Sequence, residues 1–396
     1  VAEVGVSGTP IFGGFLRERG EYNPDFQGGP FSSFQTFEQM RRGDAQVAAT
    51  LMAMKLPIRS AQWNVVVSPS ASPAEKEAAA FVKKCLFEDQ DFTAILRNAL
   101  LMLDFGVSAH EDVWEVRNGR VVWKTLAPRL PLTFFRWIMT PNGQDLAALE
   151  QLGYQGSEYK TTQVPADKLA LFTFDQEGQN FAGRSVLRPM YQSWWLKSGL
   201  HKIDAIATER NGTGVPVISM GPNASTEDKK AALQWVEQLA AHQRSGMVLP
   251  PGWNFELHGV KGKTRDPRDS IEHHNMQISM AGLAMFMQLG QTHGGNRALG
   301  DTMTDFFYLA LEATSQQIGR VLTMGSVKRL VDFNFEGIVN YPRVSPQQIM
   351  TVKFEAIVSA LKDLAGVGVI QPDPSLENWM REKIGAPKLE TSLGKG

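Results

Sequence analysis

The chain has 396 residues, 43% of them hydrophobic and 20% charged, with a formal net charge of −1. That is enough for two or three domains and a sizeable core, and it excludes both a disordered chain and a strongly basic field for tight, static nucleic-acid binding. The single cysteine, Cys85, excludes an internal disulfide and a thiolate metal cage.

Residues 1–34 are rich in Gly, Pro and Phe without periodicity and read as an extended arm. Asp44 is placed to cap a helix through Lys55, with Val47, Leu51 and Met54 at helical spacing and a stop before Pro57. Gln62 to Val67 reads as a strand. Ser72-Pro73-Ala74-Glu75 predicts a helix start with a capping box, running to Phe87. Cys85 lies in this helix as a packing residue. Asp91 caps the next helix, which Gly106 ends. Asn118-Gly119 between Val107–Arg117 and Arg120–Leu126 is a strong hairpin signal. Short strands are expected near 132–139 and 169–174, so residues 35–184 form an α+β domain.

Ser185 is expected to cap a long helix reaching Arg210, with Asn211-Gly212 stopping it. Val215 to Met220 is an edge-type strand, because Pro216 cannot donate to a central ladder. Ser225-Thr226-Glu227-Asp228 opens an amphipathic helix through Leu239, closed by Gly246. Trp253, Phe255 and Leu257 alternate with polar residues as a half-buried strand. Asp266-Pro267-Arg268-Asp269 opens a second long helix carrying Met276, Met280, Met285 and Met287. Gln291 to Gly300 is a polar, glycine-rich break. Asp301 opens another helix to about Leu330, and 345–385 reads as interrupted helix. Two long helices with a small module between them make a poor globular core but a good spoke in a ring.

Enzyme motifs fail on spacing. Gly262-Lys263-Thr264 lacks the glycine that a phosphate-binding loop needs at position 257, which is Leu257. His110-Glu111 lacks the second zinc-protease histidine, since position 114 is Trp114. Gly106-Val107-Ser108-Ala109-His110 lacks the closing glycine of a nucleophile elbow. His273 and His274 are adjacent and read as a polar helix face. Gly294 to Gly300 follows a helix, not a strand, so it is no dinucleotide fingerprint. Lys261, Lys263, Arg265 and Arg268 are the densest basic cluster and the candidate contacts to a DNA backbone. The longest apolar run, Ile278 to Met287, is ten residues, far short of a membrane span. No secretory signal is visible, so the expected compartment is a reducing cytoplasm, or a particle assembled there.

The order and spacing of several strings resemble the portal proteins of tailed double-stranded DNA phages. These are Arg41-Arg42-Gly43-Asp44 with its helix, Ile58 to Trp63, Phe105-Gly106-Val107 through Glu111-Asp112-Val113-Trp114-Glu115, and Gly183 to Pro189. Glu209-Arg210-Asn211-Gly212 to Val217 and Gly246 to Trp253 follow. The resemblance spans about residues 40–385. It implies an α+β portal fold with these parts: an N-terminal arm (1–34), a wing (35–185), a first stem helix (186–211), a clip (212–264), a second stem helix (265–289), a tunnel loop (290–300), a wing helix with a return strand (301–344), and a short helical crown and tail (345–396).

The resemblance also implies a ring, usually of twelve subunits, at one capsid vertex. Double-stranded DNA would pass non-specifically through it, with Gln291, Thr292, His293, Asn296 and Arg297 facing that DNA from the tunnel loop. Pro222, Asn223, Glu227, Asp228 and Trp253 would form the clip surface that meets the terminase large subunit and the head–tail adaptor. The major capsid protein is a further implied partner. No catalysis, cofactor, metal or membrane contact is expected, and the virion is the implied location after assembly in the host cytoplasm. Two other classes compete: a non-portal structural or scaffolding protein of a phage-like particle, and a hydrolase with its site in 35–184.

Overall fold

The structure, a computed structural model, describes residues 26, 30–143, 145–156, 158–213, 215–221, 224–240, 248–258, 267–284, 297–347, 349 and 377. The chain divides into two compact units, Val1–Gln347 and Gln348–Gly396. Of the second, only residues 349 and 377 are described, so the expected crown helices lie outside the described residues.

Helix α1 (Pro30–Gly43) begins inside the segment expected to be an extended arm. Phe34, Phe37 and Met40 are buried at i, i+3 and i+6, and this apolar face supports the helix despite its unpromising composition. Asp44 caps α2 (Ala45–Ser60) as expected, accepting from the Gln46 and Val47 amides. The helix does not stop before Pro57. Val47, Leu51, Met54 and Ile58 make one buried stripe, and burying Ile58 offsets the single backbone bond that Pro57 cannot donate. Strand β1 (Trp63–Val66) follows.

Helix α3 (Pro73–Phe87) carries the complete Ser72/Glu75 capping box. Cys85 is buried within it, and burial pushes its thiol up to about 11. Asp91 caps the next helix, which is interrupted at Leu100 into α4 (Phe92–Ala99) and α5 (Leu101–Phe105). The cause is a competing donor. Ser108 Oγ donates to the Ala99 carbonyl at 2.7 Å, and the Leu103 amide turns instead to Leu100.

Strands β2 (Val107–Arg117) and β3 (Arg120–Arg129) pair through the Asn118-Gly119 turn, whose φ angles of 53° and 76° fit a tight hairpin. Strands β4 (Phe134–Met139), β5 (Leu146–Gln155) and β6 (Glu158–Pro165) form a separate antiparallel sheet, and β7 (Leu169–Thr173) pairs with β2. The β5–β6 hairpin was not expected. Along β6 only Val164 is buried, so no apolar alternation marks it.

The second stretch starts with α6 (Tyr191–Thr213). It opens six residues after Ser185, the expected cap. The Ser185 hydroxyl bonds the Asp104 carbonyl, and the Val186 amide donates to Leu103 at 3.0 Å. Those bonds tie 185–190 to the α5–β2 corner as a series of turns. Strand β8 (Val215–Ser219), helix α7 (Thr226–Ala240) and strand β9 (Asn254–His258) form a small module in which β8 pairs with β9. Helix α8 (Pro267–Ala281) then packs along α6.

Helix α8 closes well before residue 289, its expected end. Thr50 of α2 approaches so closely that a Cβ at position 282 would collide with it, so the glycine serves that contact. The left-handed residue of the helix stop falls on Leu283, at φ 55°. Met285 and Met287 lie outside the described residues. Helix α9 (Arg297–Leu322) starts before Asp301, since Arg297-Ala298-Leu299 are good helix formers and one interior glycine is tolerable. A π-turn (Thr323–Val327), α10 (Lys328–Asn334) and β10 (Arg343–Pro346) complete the unit, with β10 paired to β1.

Two glycines seal the corner where β2 begins. Gly106 and Gly183 both have positive φ, and a Cβ on either would strike the other's neighbourhood: Ala182 O for Gly106, and Gly106 O for Gly183. On the adjoining strand His110 is 1% exposed, edge-on to Phe172 at 5.6 Å, and neither ring nitrogen has a hydrogen-bond partner among the described residues. Burial, with Arg129 nearby, lowers its pKa from 6.5 to about 4. The neutral ring is therefore the folded form. The unfolded chain takes up a proton below about pH 6.5 that the native state refuses, so stability is full above that pH and falls as pH drops toward about 4. Chemical denaturation is expected to show a loss of about 2 kcal/mol between about pH 7.5 and about pH 5, and His110→Phe is expected to flatten that limb. An unchanged limb in the variant would contradict the assignment.

Candidate functional site

The first helix of the pair is inverted relative to a normal surface helix. Lys197 is buried and Asp204 half-buried on the side of α6 that faces α8, while Trp195 (59% exposed), Ile203 (57%) and Ile206 (49%) point away, with Leu196 beside them. Positions 195, 199, 203 and 206 fall on one stripe by helical spacing, and Gly199 within it has open space around it. An amphipathic helix ordinarily turns its apolar side to its own core. Here that side is exposed among the described residues.

The inner side carries Lys197 and Asp204 beside half-buried Leu200 and Ala207, and Lys197 meets a buried polar node. Asp44 Oδ1 accepts from the Gln46 and Val47 amides at 2.9 and 3.0 Å, capping α2. Its Oδ2 lies 2.5 Å from Lys197 Nζ of α6, and the two side chains are 7% and 5% exposed. Lys197 also donates to Asn275 Oδ1 of α8 at 2.9 Å. Gln46 Nε2 donates to Ser279 Oγ at 2.7 Å, and Ser279 donates on to the Asn275 carbonyl. Three helices therefore meet through one carboxylate, one ammonium, two side-chain amides and one hydroxyl.

A second buried carboxylate sits one step behind. Asp104 of α5 accepts from Lys55 at 2.6 Å, and Arg41 lies 3.5 Å away while also stacking over Phe105. Burial pushes the Asp104 carboxyl up, against the pull of Lys55 and Arg41. A third, Asp112 of β2, accepts from Ser326 at 2.7 Å and from Arg329 at 2.6–2.7 Å, which fixes the π-turn onto the sheet. The strings around Arg41, Asp44, Gly106, Asp112 and Gly183, scattered in sequence, thus converge on the base of the helix pair and the sheet behind it.

The remaining candidate residues fall as follows. Arg268 is exposed in the first turn of α8. Arg297, expected at a loop tip, is the first residue of α9. Glu227 is exposed in the first turn of α7. Asp228 accepts from both the amide and the hydroxyl of Ser225, which lowers its pKa, so this carboxylate already closes the α7 cap. Trp253 is half-buried, its ring 6.0 Å from Trp235, and fastens β9 to α7. Pro222, Asn223, Lys261, Lys263, Arg265, Gln291, Thr292, His293 and Asn296 lie outside the described residues. Among the described residues no group of three or more His, Cys, Asp or Glu is placed to hold a metal, and no helix is long and apolar enough to cross a membrane.

The family described as the portal protein of Mu bacteriophage matches residues 34–386. The chain belongs to this portal family. Solved structures agree on the fold. A chain from the neck of an empty gene transfer agent particle, computed with C6 symmetry, aligns with a TM-score of 0.58 at 12% identity. A chain from the virion of the native gene transfer agent particle gives 0.56 at 10%, and one from the native neck computed with C12 symmetry gives 0.50 at 11%. Each alignment covers 90% of this chain and 94% of the other. The portal is accordingly a structural component of a phage or phage-like particle with a mixed α+β fold, and neither a scaffolding protein nor a hydrolase.

Lys197 was not legible as a functional residue, because nothing local distinguishes it from a solvated helix lysine. Replacing it with methionine leaves Asp44 buried without its cation, and this is expected to cost about 3–5 kcal/mol. The double variant Asp44→Ser/Lys197→Met removes both charges and keeps a capping hydroxyl. Its loss is expected to be about half that or less, as read by denaturant unfolding. Equal losses in the two variants would mean that the orphaned Asp44 carboxylate is not the source of the single variant's loss.

Proposed function

We propose that this portal is the subunit of a closed ring, probed most simply as a dodecamer, that sits at one capsid vertex and conducts double-stranded DNA during packaging and ejection. The observation that carries the reading is the outward apolar stripe of α6. A stripe of tryptophan, leucine and isoleucine facing water on a long helix marks a surface that another protein covers, and identical neighbours around an axis cover it without leaving an open end. The symmetric necks of the similar particles support the same arrangement.

In this reading residues 35–185 are the wing, α6 and α8 the two stem helices (186–211 and 265–289), and 212–264 the clip. Residues 290–300 form the tunnel loop, 301–344 the wing helix and return strand, and 345–396 the crown. Gln291, Thr292, His293, Asn296 and Arg297 approach the DNA, with Arg297 doing so from the first turn of α9. Lys261, Lys263, Arg265 and Arg268 add backbone contacts. The clip, with Pro222, Asn223, Glu227, Asp228 and Trp253, meets the terminase large subunit and then the head–tail adaptor, and the wing meets the capsid protein.

The near-neutral charge suits this task. Each neutralised phosphate releases counterions and deepens the bound state, so a channel crowded with lysines would hold DNA in place. A sparse lining lets the duplex slide while the motor supplies the work. The chain is expected to form rings with an axial opening in negative-stain images. Ile203→Arg, at an exposed position, is expected to leave the fold intact and lower the ring fraction at least tenfold. A compact monomer under all conditions, or an Ile203→Arg chain that assembles like the wild type, would overturn the proposal.

A further inference from the structure

We propose that the Asp44–Lys197–Asn275 node sets the number of subunits in the ring. This inference rests on the ring reading above and deepens it. In a closed ring each subunit presents two unlike faces to its neighbours, and the angle between those faces decides how many copies fit. Twelve copies turn about 30° each and thirteen about 28°, so roughly 2° of wedge separates the two outcomes.

Both the α+β unit and the helix pair meet neighbours in such a ring, so the angle at which the pair leaves that unit enters the wedge directly. About 24 Å of α6 lies beyond Lys197, and 2° at its base moves the far end by about 1 Å. The joint must therefore be held more tightly than packed apolar side chains alone hold a helix, since these tolerate rotamer changes and sliding at little cost.

The node meets that demand. One carboxylate addresses two helices at once, its Oδ1 fixed by the α2 amides and its Oδ2 by Lys197. Lys197 then reaches Asn275, so α6 and α8 are referenced to the same atom group rather than only to each other. Gln46 to Ser279, and Thr50 against Gly282, give α8 two further fixed points on α2. Stability alone does not require this design, since an apolar joint of the same volume serves as well or better. What the charges add is a single allowed geometry.

Native mass spectrometry of rings purified from the full chain tests the idea, with Asp44→Ser/Lys197→Met and, separately, Asn275→Leu. Asn275→Leu removes one arm of the node and no charge. The wild type is expected to give one ring mass. At least one folded variant is expected to give rings of two or more adjacent counts at unchanged total yield. Three results overturn the proposal: a wild type already mixed in count, variants that keep the wild-type count, and variants that fail to assemble at all, which would make the node a folding element only. Absence of rings from the wild type would instead sink the ring reading itself.

Discussion

Helix α6 carries its lysine inward and its tryptophan and isoleucines outward. That inversion in α6 is the constraint around which the rest of this portal is arranged. On the inner side Lys197 joins α6 to α2 through Asp44 and to α8 through Asn275. In the proposed ring the outer side is apolar because a neighbouring copy covers it. The α+β unit behind, with its Gly106–Gly183 corner and its Asp112–Arg329 pair, is the rigid base from which both sides are presented.

Three of the buried carboxylates share a logic. Asp44, Asp104 and Asp112 each join elements distant in sequence, and each is matched by a cation from a different helix. Such pairs contribute little net stability, because desolvation offsets most of the attraction. In the reading proposed above, they instead hold one arrangement among several that hydrophobic burial would accept. His110 is the contrasting case: a buried polar ring with no hydrogen-bond partner among the described residues, tolerated because it stays neutral.

Much of the fold was legible where a local signal was strong. The Ser72 capping box, the Asp44 and Asp91 caps and the Asn118-Gly119 turn all appear where the residues indicated. Three of the misreadings share a cause, which is tertiary contact overruling local preference. Burial of Ile58 carries α2 through Pro57, the Ser108 hydroxyl splits the helix at Leu100, and bonds to Asp104 and Leu103 delay α6 to Tyr191. The β5–β6 hairpin escaped because an exposed sheet edge needs no apolar alternation. Of the site, the order of strings pointed to the portal family, but no spacing rule brings Asp44, Lys197 and Asn275 together.

The central claim is that the outer face of α6 is covered by a neighbour in the working assembly. Cys85, buried and with its thiol pushed up to about 11, leaves the surface free of reactive thiols, so a cysteine placed at Ile203 reports alone. The measurement is maleimide labelling of Ile203→Cys in intact assemblies and in chains dissociated under mild conditions. The account predicts fast labelling of the dissociated chain and strong protection in the assembly. Equal, fast labelling in both would contradict it.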